Sequence, residues 1–208
     1  MKGPRGWLVA IEGIDGAGKS TFQSALARRL AASGGRIRRA AEPRNRKLGN
    51  EAVSVARTDP WRAAILFSQD RMLSRPRIER WIRAGCMVIT DRSFYSTLAY
   101  QGSALPPRAY RHLAELQHRI ARQPDRVLFL RLDPTIALRR LTLRGTSRSS
   151  LEQLAILRRV DRAYRRLSRD PRWITLDGQL SVRELVEEGI RRLLPLLRRS
   201  ASVRRPRK

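Results

Sequence analysis

The sequence predicts an α/β fold in which a parallel sheet carries helices on both faces. Two observations lead there. Short apolar runs of strand length alternate with segments of helical periodicity along nearly the whole chain, the pattern of strand–crossover–strand units. The first apolar run also leads into "GIDGAGKST" (13–21), a glycine-rich turn that opens a helical pattern, which is how a phosphate-binding strand–loop–helix unit is written.

Taken in order, "WLVAIE" (7–12) is a continuous apolar run and reads as a buried strand. "KSTFQSALARRLAAS" (19–33) reads as a helix, ended by Gly34-Gly35. "IRRAAE" (37–42) is a weaker strand, stopped by Pro43. Helical patterns follow at about 47–57 and 61–84, and Pro76 is expected to bend the second because proline lacks the N–H that the preceding turn needs. "CMVITD" (86–91) and "RVLFLRLD" (126–133) are strong strands, separated by the helix "RAYRHLAELQHRIAR" (108–122). The helix "PTIALRRLTLR" (134–144), the polar loop "GTSRSS" and the long helix "LEQLAILRRVDRAYRRLS" (151–168) come next. A last strand "WITLD" (173–177) precedes a closing helix "VRELVEEGIRRLLPLLRR" (182–199), interrupted at Pro195. No repeat or linker marks a second domain. One domain over 1–199 is expected, with 200–208 as a basic, flexible tail.

Composition narrows the class. A chain of 208 residues, 41% hydrophobic, is long enough to bury one core without disulfides or metal. Cys86 is the lone cysteine and lies inside an apolar run, so a packing role in a reducing compartment is expected. The apolar stretch before Glu12 is too short for a secretion signal or membrane span, so the expectation is a soluble cytoplasmic protein. The net charge of +27 favours acidic partners. Lysine occurs only at Lys2, Lys19, Lys47 and Lys208, and the arginines are spread along the chain rather than blocked together. That spread fits a compositional bias better than selected nucleic-acid binding.

The segment 13–21 fits G-x-x-x-x-G-K-[ST]. Gly13, Gly16 and Gly18 permit backbone angles that turn consecutive N–H groups inward on a polyphosphate, with Ile14, Asp15 and Ala17 between them and Thr21 following. Lys19 reaches the β- and γ-phosphates, Ser20 offers its hydroxyl to Mg²⁺, and the helix N-terminus adds its positive end. ATP with Mg²⁺ is the expected ligand. Asp15 is an oddity there: a carboxylate beside polyphosphate needs another partner, such as a ribose hydroxyl, or else solvent.

Asp91 and Arg92 end a buried strand, at the carboxyl edge where open α/β sheets bind ligands. Asp91 is placed to hold Mg²⁺ through water and Arg92 to clamp a phosphate; the alternative is a capping ion pair. His112 and His118 fall on a helix expected to be exposed. Transfer to an already anionic phosphate needs positioning and charge neutralisation rather than a strong base, so neither histidine is required.

"IEGIDGAGKST", "EP" (42–43), "LFSQDR" (66–71), "DRSFYSTLAYQG" (91–102), "RLDPTIALRRLTLRG" (131–145) and "RRVDRAYRRL" (158–167) follow the order and approximate spacing of the thymidylate kinase family, which the chain resembles over about 7–180. The resemblance implies a five-stranded parallel sheet of the P-loop type and a mobile lid, here about 143–151. It also implies phosphorylation of dTMP to dTDP by ATP. By position, Phe67 would stack on the base, Arg71 would bond it, and Thr97 and Gln101 would read its edge. Tyr100 would crowd the sugar 2′ position, Asp15 would touch the 3′-hydroxyl, and Arg92 would hold the acceptor phosphate beside Glu42. Arg144 and Arg148 match the lid arginines. Gly16 stands where some members carry arginine, which places this chain with those whose catalytic arginine comes from the lid. Tyr164 matches a tyrosine near the acceptor, with packing an equal alternative. Homodimers are common in the family.

Departures cluster on the acceptor side. "AEPRN" (41–45) replaces the usual Arg-Glu-Pro-Gly-Gly, Val53 stands where a further arginine is common, and Ser93 replaces a tyrosine. Arg44, Arg46 or Arg57 are the candidates to compensate. Two rival readings follow: a deoxynucleoside kinase using Glu42 as base, and a degenerate P-loop protein that binds nucleotide or nucleic acid without catalysis.

Overall fold

The computed structural model of the protein describes residues 6–145 and 151–202, with side chains as far as Leu196. Five strands, β1 (Trp7–Glu12), β2 (Ile37–Ala41), β3 (Met87–Asp91), β4 (Arg126–Arg131) and β5 (Trp173–Asp177), form one sheet in the order β2-β3-β1-β4-β5. Every neighbouring pair is parallel. The three inner strands are apolar on both faces because helices cover both: Val9, Ala10, Ile11, Val88, Ile89 and Leu128 are fully buried. Edge strand β2 is different. Arg38 and Arg39 are exposed on it, which explains its weak apolar signal and keeps an open sheet edge charged.

The helices are α1 (Lys19–Ala32), α2 (Arg46–Val55), α3 (Pro60–Arg83), α4 (Phe94–Tyr100), α5 (Pro107–Ile120), α6 (Pro134–Leu143), α7 (Leu151–Leu167) and α8 (Val182–Ser202). α1 packs on β1, β2, β3 and α8, while α4 packs against α3, α5 and α7 in a second layer. A side chain at Gly189 of α8 would put its Cβ 3.0 Å from the ring of Phe22 on α1, so glycine sets how closely those helices approach. Phe22, Leu26, Phe94, Leu113, Phe129 and Tyr164 are completely buried in one continuous core. At about 1.5–3 kcal/mol per large apolar side chain, burial on this scale needs no cross-link, and Cys86 is free and buried.

Two local expectations change. α4 has no counterpart in the periodicity, being only seven residues long; Ser93 starts it by accepting from the Tyr95 N–H. α8 is not interrupted at Pro195 but runs through it to Ser202, three residues into the expected tail; residues 203–208 lie outside the described residues. α3 contains Pro76 within one helical span, as its sequence pattern implied. Among the described residues no helix is long and apolar enough to cross a membrane.

The register brings the functional segments together. Ile11 and Ala41 both pair with Asp91 across neighbouring strands, so the loops that follow β1, β2 and β3 leave the sheet side by side. This is the carboxyl edge, beside the point where the strand order reverses.

Candidate active site

The loop after β1 is built on positive backbone angles: φ is 149° at Gly13, 85° at Gly16 and 90° at Gly18. At Gly16 a Cβ would lie 2.5 Å from the Ala137 carbonyl oxygen as well, so this backbone admits no side chain there. Lys19 follows at the start of α1, buried, with its Nζ donating to the Ile14 carbonyl at 2.9 Å. Burial, then repulsion from Arg92, lowers its pKa to about 8, against a smaller pull from Asp15. Asp15, Gly16, Gly18, Lys19, Ser20 and Thr21 line a cavity of about 610 Å³, together with Asp91, Arg92 and Arg144. Gly13, Ile14 and Ala17 shape the loop behind them; the Ala17 N–H donates to the Ile14 carbonyl at 3.2 Å.

At the end of β3, Ser20 donates its hydroxyl to Asp91 Oδ2, while Asp91 Oδ1 is buried without a protein partner. Arg92 adopts φ 72°, unusual for a residue other than glycine. It is clamped on both sides, its N–H bonding the Ile11 carbonyl at 3.0 Å and its own carbonyl receiving the Thr90 hydroxyl at 2.8 Å. Its guanidinium pairs with Asp15, bonds Ser96 Oγ at 3.0 Å, and lies 5.0 Å from the centre of the Tyr100 ring. Burial works against both charges, but the ion pair prevails: Arg92 holds its proton more tightly than usual, and Arg92 with Lys19 keeps Asp15 below the ordinary carboxylate range. The backbone N–H of Asp15 in turn donates to the Tyr100 hydroxyl at 2.8 Å.

A second cavity, of about 450 Å³, opens on the other side of Arg92. All the acceptor residues expected from the sequence line it: Asp15, Glu42, Phe67, Arg71, Arg92, Thr97, Tyr100 and Gln101. Arg71 is fixed at its floor. Its Nε and Nη2 donate to Glu42 Oε2 at 2.9 and 2.7 Å, its Nη1 to Gln117 at 2.6 Å, and its Nη2 to Thr97 at 3.2 Å. Glu42 is partly buried and its pKa is raised by that burial, an effect Arg71 partly offsets. Asp15, Glu42, Arg92 and Gln153 line both cavities, so the two spaces meet at Arg92.

Sequence reasoning did not single out several residues of this site. Asp70 accepts from the backbone N–H groups of Arg44 and Asn45, the latter at 2.6 Å, and so pins the loop after β2. Gln117 links Arg71 to the Ser68 hydroxyl at 2.8 Å. Glu12, completely buried at the end of β1, accepts hydrogen bonds from Ser93, Ser96 and Tyr164. The available signal for Glu12 was a lone carboxylate closing an apolar strand. Tyr164 is buried and reaches the site through Glu12 alone or with Ser96. His112 and His118 are exposed, and Arg148 lies outside the described residues.

Comparison with known proteins fits this geometry. A family model described as "Thymidylate kinase" matches residues 11–189. The chain belongs to the thymidylate kinase family. A protein of Archaeoglobus fulgidus named "Probable thymidylate kinase" is 33% identical over 184 residues, covering 87% of this chain and 91% of the relative. One of the same name from Pyrobaculum aerophilum is 35% identical over 158 residues, 76% of this chain and 80% of its own. A "Thymidylate kinase" of Synechococcus sp. is 33% identical over 208 residues, 89% of this chain and 98% of its own.

For a thymidylate kinase the altered loop at 41–45 is well supported. Asn45 caps α2, its side chain accepting from Lys47 and Leu48 N–H at 3.0 and 3.2 Å, and Asp70 holds its backbone. Of the arginines considered as replacements, Arg57 lines the acceptor-side cavity beside Val53 and pairs with Glu152 at the start of α7. Arg44 and Arg46 are exposed.

Proposed function

We propose that the protein transfers the γ-phosphoryl group of ATP to the 5′-phosphate of dTMP. The observation that carries this reading is the meeting of a P-loop cavity and a Phe67/Arg71/Gln101-lined cavity at one strained arginine, Arg92. Two anions must approach there, and the reaction needs their repulsion neutralised in a fixed geometry. The P-loop amides and Lys19 hold the donor phosphates. Arg92 holds the acceptor phosphate, and Arg144, with Arg148 from the lid at about 143–151, brings positive charge to the transferring group. Phe67, Arg71, Thr97 and Gln101 grip the base, and Tyr100 and Asp15 the sugar. Glu42 is tied through Oε2 to Arg71 and serves as an orienting group, which argues against its being the base of a nucleoside kinase.

The residues at the mouth of the P-loop fit Mg²⁺. Asp91 Oδ1 is buried and otherwise unpartnered, Ser20 adjoins Asp91 Oδ2, and all these donors are hard oxygens. Ser20 and Asp91 would hold the ion, which when bound supplies neutralisation of the β- and γ-phosphate oxygens. The reading extends to a cytoplasmic homodimer, supported by exposed Trp61, Met72 and Leu73 on α3, and sedimentation analysis tests the dimer.

Steady-state ADP production from ATP and Mg²⁺ with each deoxynucleoside monophosphate, and with thymidine, tests the activity. Turnover selective for dTMP is expected. Turnover with thymidine alone, or with no acceptor, would overturn the reading.

A further inference from the structure

We propose that Glu12 is a positioning residue for Arg92, acting through Ser93, Ser96 and Tyr164. The proposal rests on the reading that Arg92 holds the acceptor phosphate. The Glu12 carboxylate is completely buried and accepts from donors on the β3–α4 turn, α4 and α7: the Ser93 N–H and Oγ at 2.8 and 2.7 Å, Ser96 Oγ at 2.7 Å, and the Tyr164 hydroxyl at 2.9 Å. A carboxylate with so many donors turned on it is satisfied only as an acceptor.

Ser96 Oγ ties the network to Arg92: it bonds Glu12 Oε2 at 2.7 Å, lies 3.0 Å from the Tyr164 hydroxyl, and accepts from Arg92 Nη1 at 3.0 Å. The backbone immediately after Arg92 is held as well, because the Ser93 N–H and hydroxyl both end on Glu12 Oε1. One carboxylate therefore restrains Arg92 twice, through the peptide that follows its strained φ and through its guanidinium. Ser93, which departs from the tyrosine usual in the family, supplies one of those donors.

A packing role alone does not account for this choice of residue. Burial disfavours the charged form of Glu12 and pushes its pKa up, against the hydrogen bonds of Ser93, Ser96 and Tyr164 and the charge of Arg92, and a buried polar group is costly unless its partners are in place. A buried carboxylate with all its lone pairs engaged is instead suited to fixing geometry, as the supports of metal and catalytic ligands do.

The test is a set of double-mutant cycles read as separate KM values for dTMP and ATP. Tyr164→Phe and Ser96→Ala are each made alone and with Arg92→Ala. Tyr164 is buried and does not line the cavity, so its variant reports the network without touching substrate, and Glu12→Gln is added if it folds. Each single variant is expected to raise the dTMP KM about 10-fold while the ATP KM changes less than about 2-fold, and to have no further effect once Arg92 is alanine. Equal changes in both KM values, or full additivity with Arg92→Ala, would overturn the proposal. Arg92→Ala that raises the dTMP KM while Tyr164→Phe and Ser96→Ala behave as wild type sinks the proposal alone. Arg92→Ala that leaves the dTMP KM unchanged sinks the acceptor reading and the proposal with it.

Discussion

Asp15 pairs with the guanidinium of Arg92, and the same carboxylate oxygen lies 3.7 Å from the ammonium of Lys19. One loop acid thus bridges the cation of the donor side and the cation of the acceptor side. It offsets their mutual repulsion, and phosphate groups entering either cavity compete with it.

Asp15→Asn removes that competition while keeping the shape of the loop. Binding of ATP is expected to tighten about 5-fold, roughly 1 kcal/mol. Turnover per encounter with dTMP is expected to fall, because the sugar loses its partner. Equilibrium titration with ATP and steady-state kinetics with dTMP measure the two effects. ATP affinity that weakens instead would show that Asp15 orders the loop rather than balancing its charge.

The lowered pKa of Lys19 has a proton-linked consequence. With the group titrating at about 8, nucleotide phosphates stabilise its charged form and raise the pKa, so binding takes up a proton in the interval between the two values. Uptake should be near zero at about pH 6.5, rise through pH 8 and approach one proton near pH 9, with ATP affinity falling over the same range. Calorimetry in buffers of different ionisation enthalpy counts the proton. Lys19→Met should abolish the uptake above pH 8, and uptake unaffected by that change would assign it to another group.

Arg71 and Glu42 are 7% and 11% exposed, a pair in which loss of one partner strands the other. Arg71→Met is expected to destabilise the fold by about 3 kcal/mol. Adding Glu42→Gln should recover about 1–2 kcal/mol, since no unpaired carboxylate then remains buried. Neither variant should phosphorylate dTMP well. Urea unfolding of the two single variants and the double gives the comparison, and a double variant less stable than Arg71→Met would mean that Glu42 is held mainly by other groups.

Much of this architecture was legible because it is local. Continuous apolar runs marked β1, β3 and β4, since strands buried on both faces need no polar alternation, and the glycine spacing marked the loop at 13–21. The family pattern named acceptor residues that the structure places around one cavity. What stayed illegible depends on long-range approach. Glu12 meets Tyr164 across 152 positions and Ser96 across 84, Asp70 reaches back 25 residues to Asn45, and no periodicity encodes such meetings. α4 escaped notice because seven residues hold barely two turns, and its apolar positions pack on several neighbours rather than in one stripe.

Gly16 and Arg144 bear on where the catalytic cation comes from. A side chain at 16 faces a φ of 85° and the Ala137 carbonyl, so the loop cannot carry an arginine there without moving its backbone. Gly16→Arg is therefore expected to impair ATP binding rather than to supply charge, and Gly16→Ala should impair it too, each by at least about 10-fold. Arg144 lines the same cavity, exposed just after α6. If it acts on transition-state charge, Arg144→Ala lowers kcat about 100-fold or more while ATP affinity changes only a few-fold. Arg148→Ala, assayed beside it, apportions the proposed role between the two arginines. Variants Gly16→Arg and Arg144→Ala combined test the source of charge: recovery of turnover on adding the loop arginine would show that the loop can yield and that position, not strain, decides, whereas a double variant worse than either single supports the proposed role of Arg144.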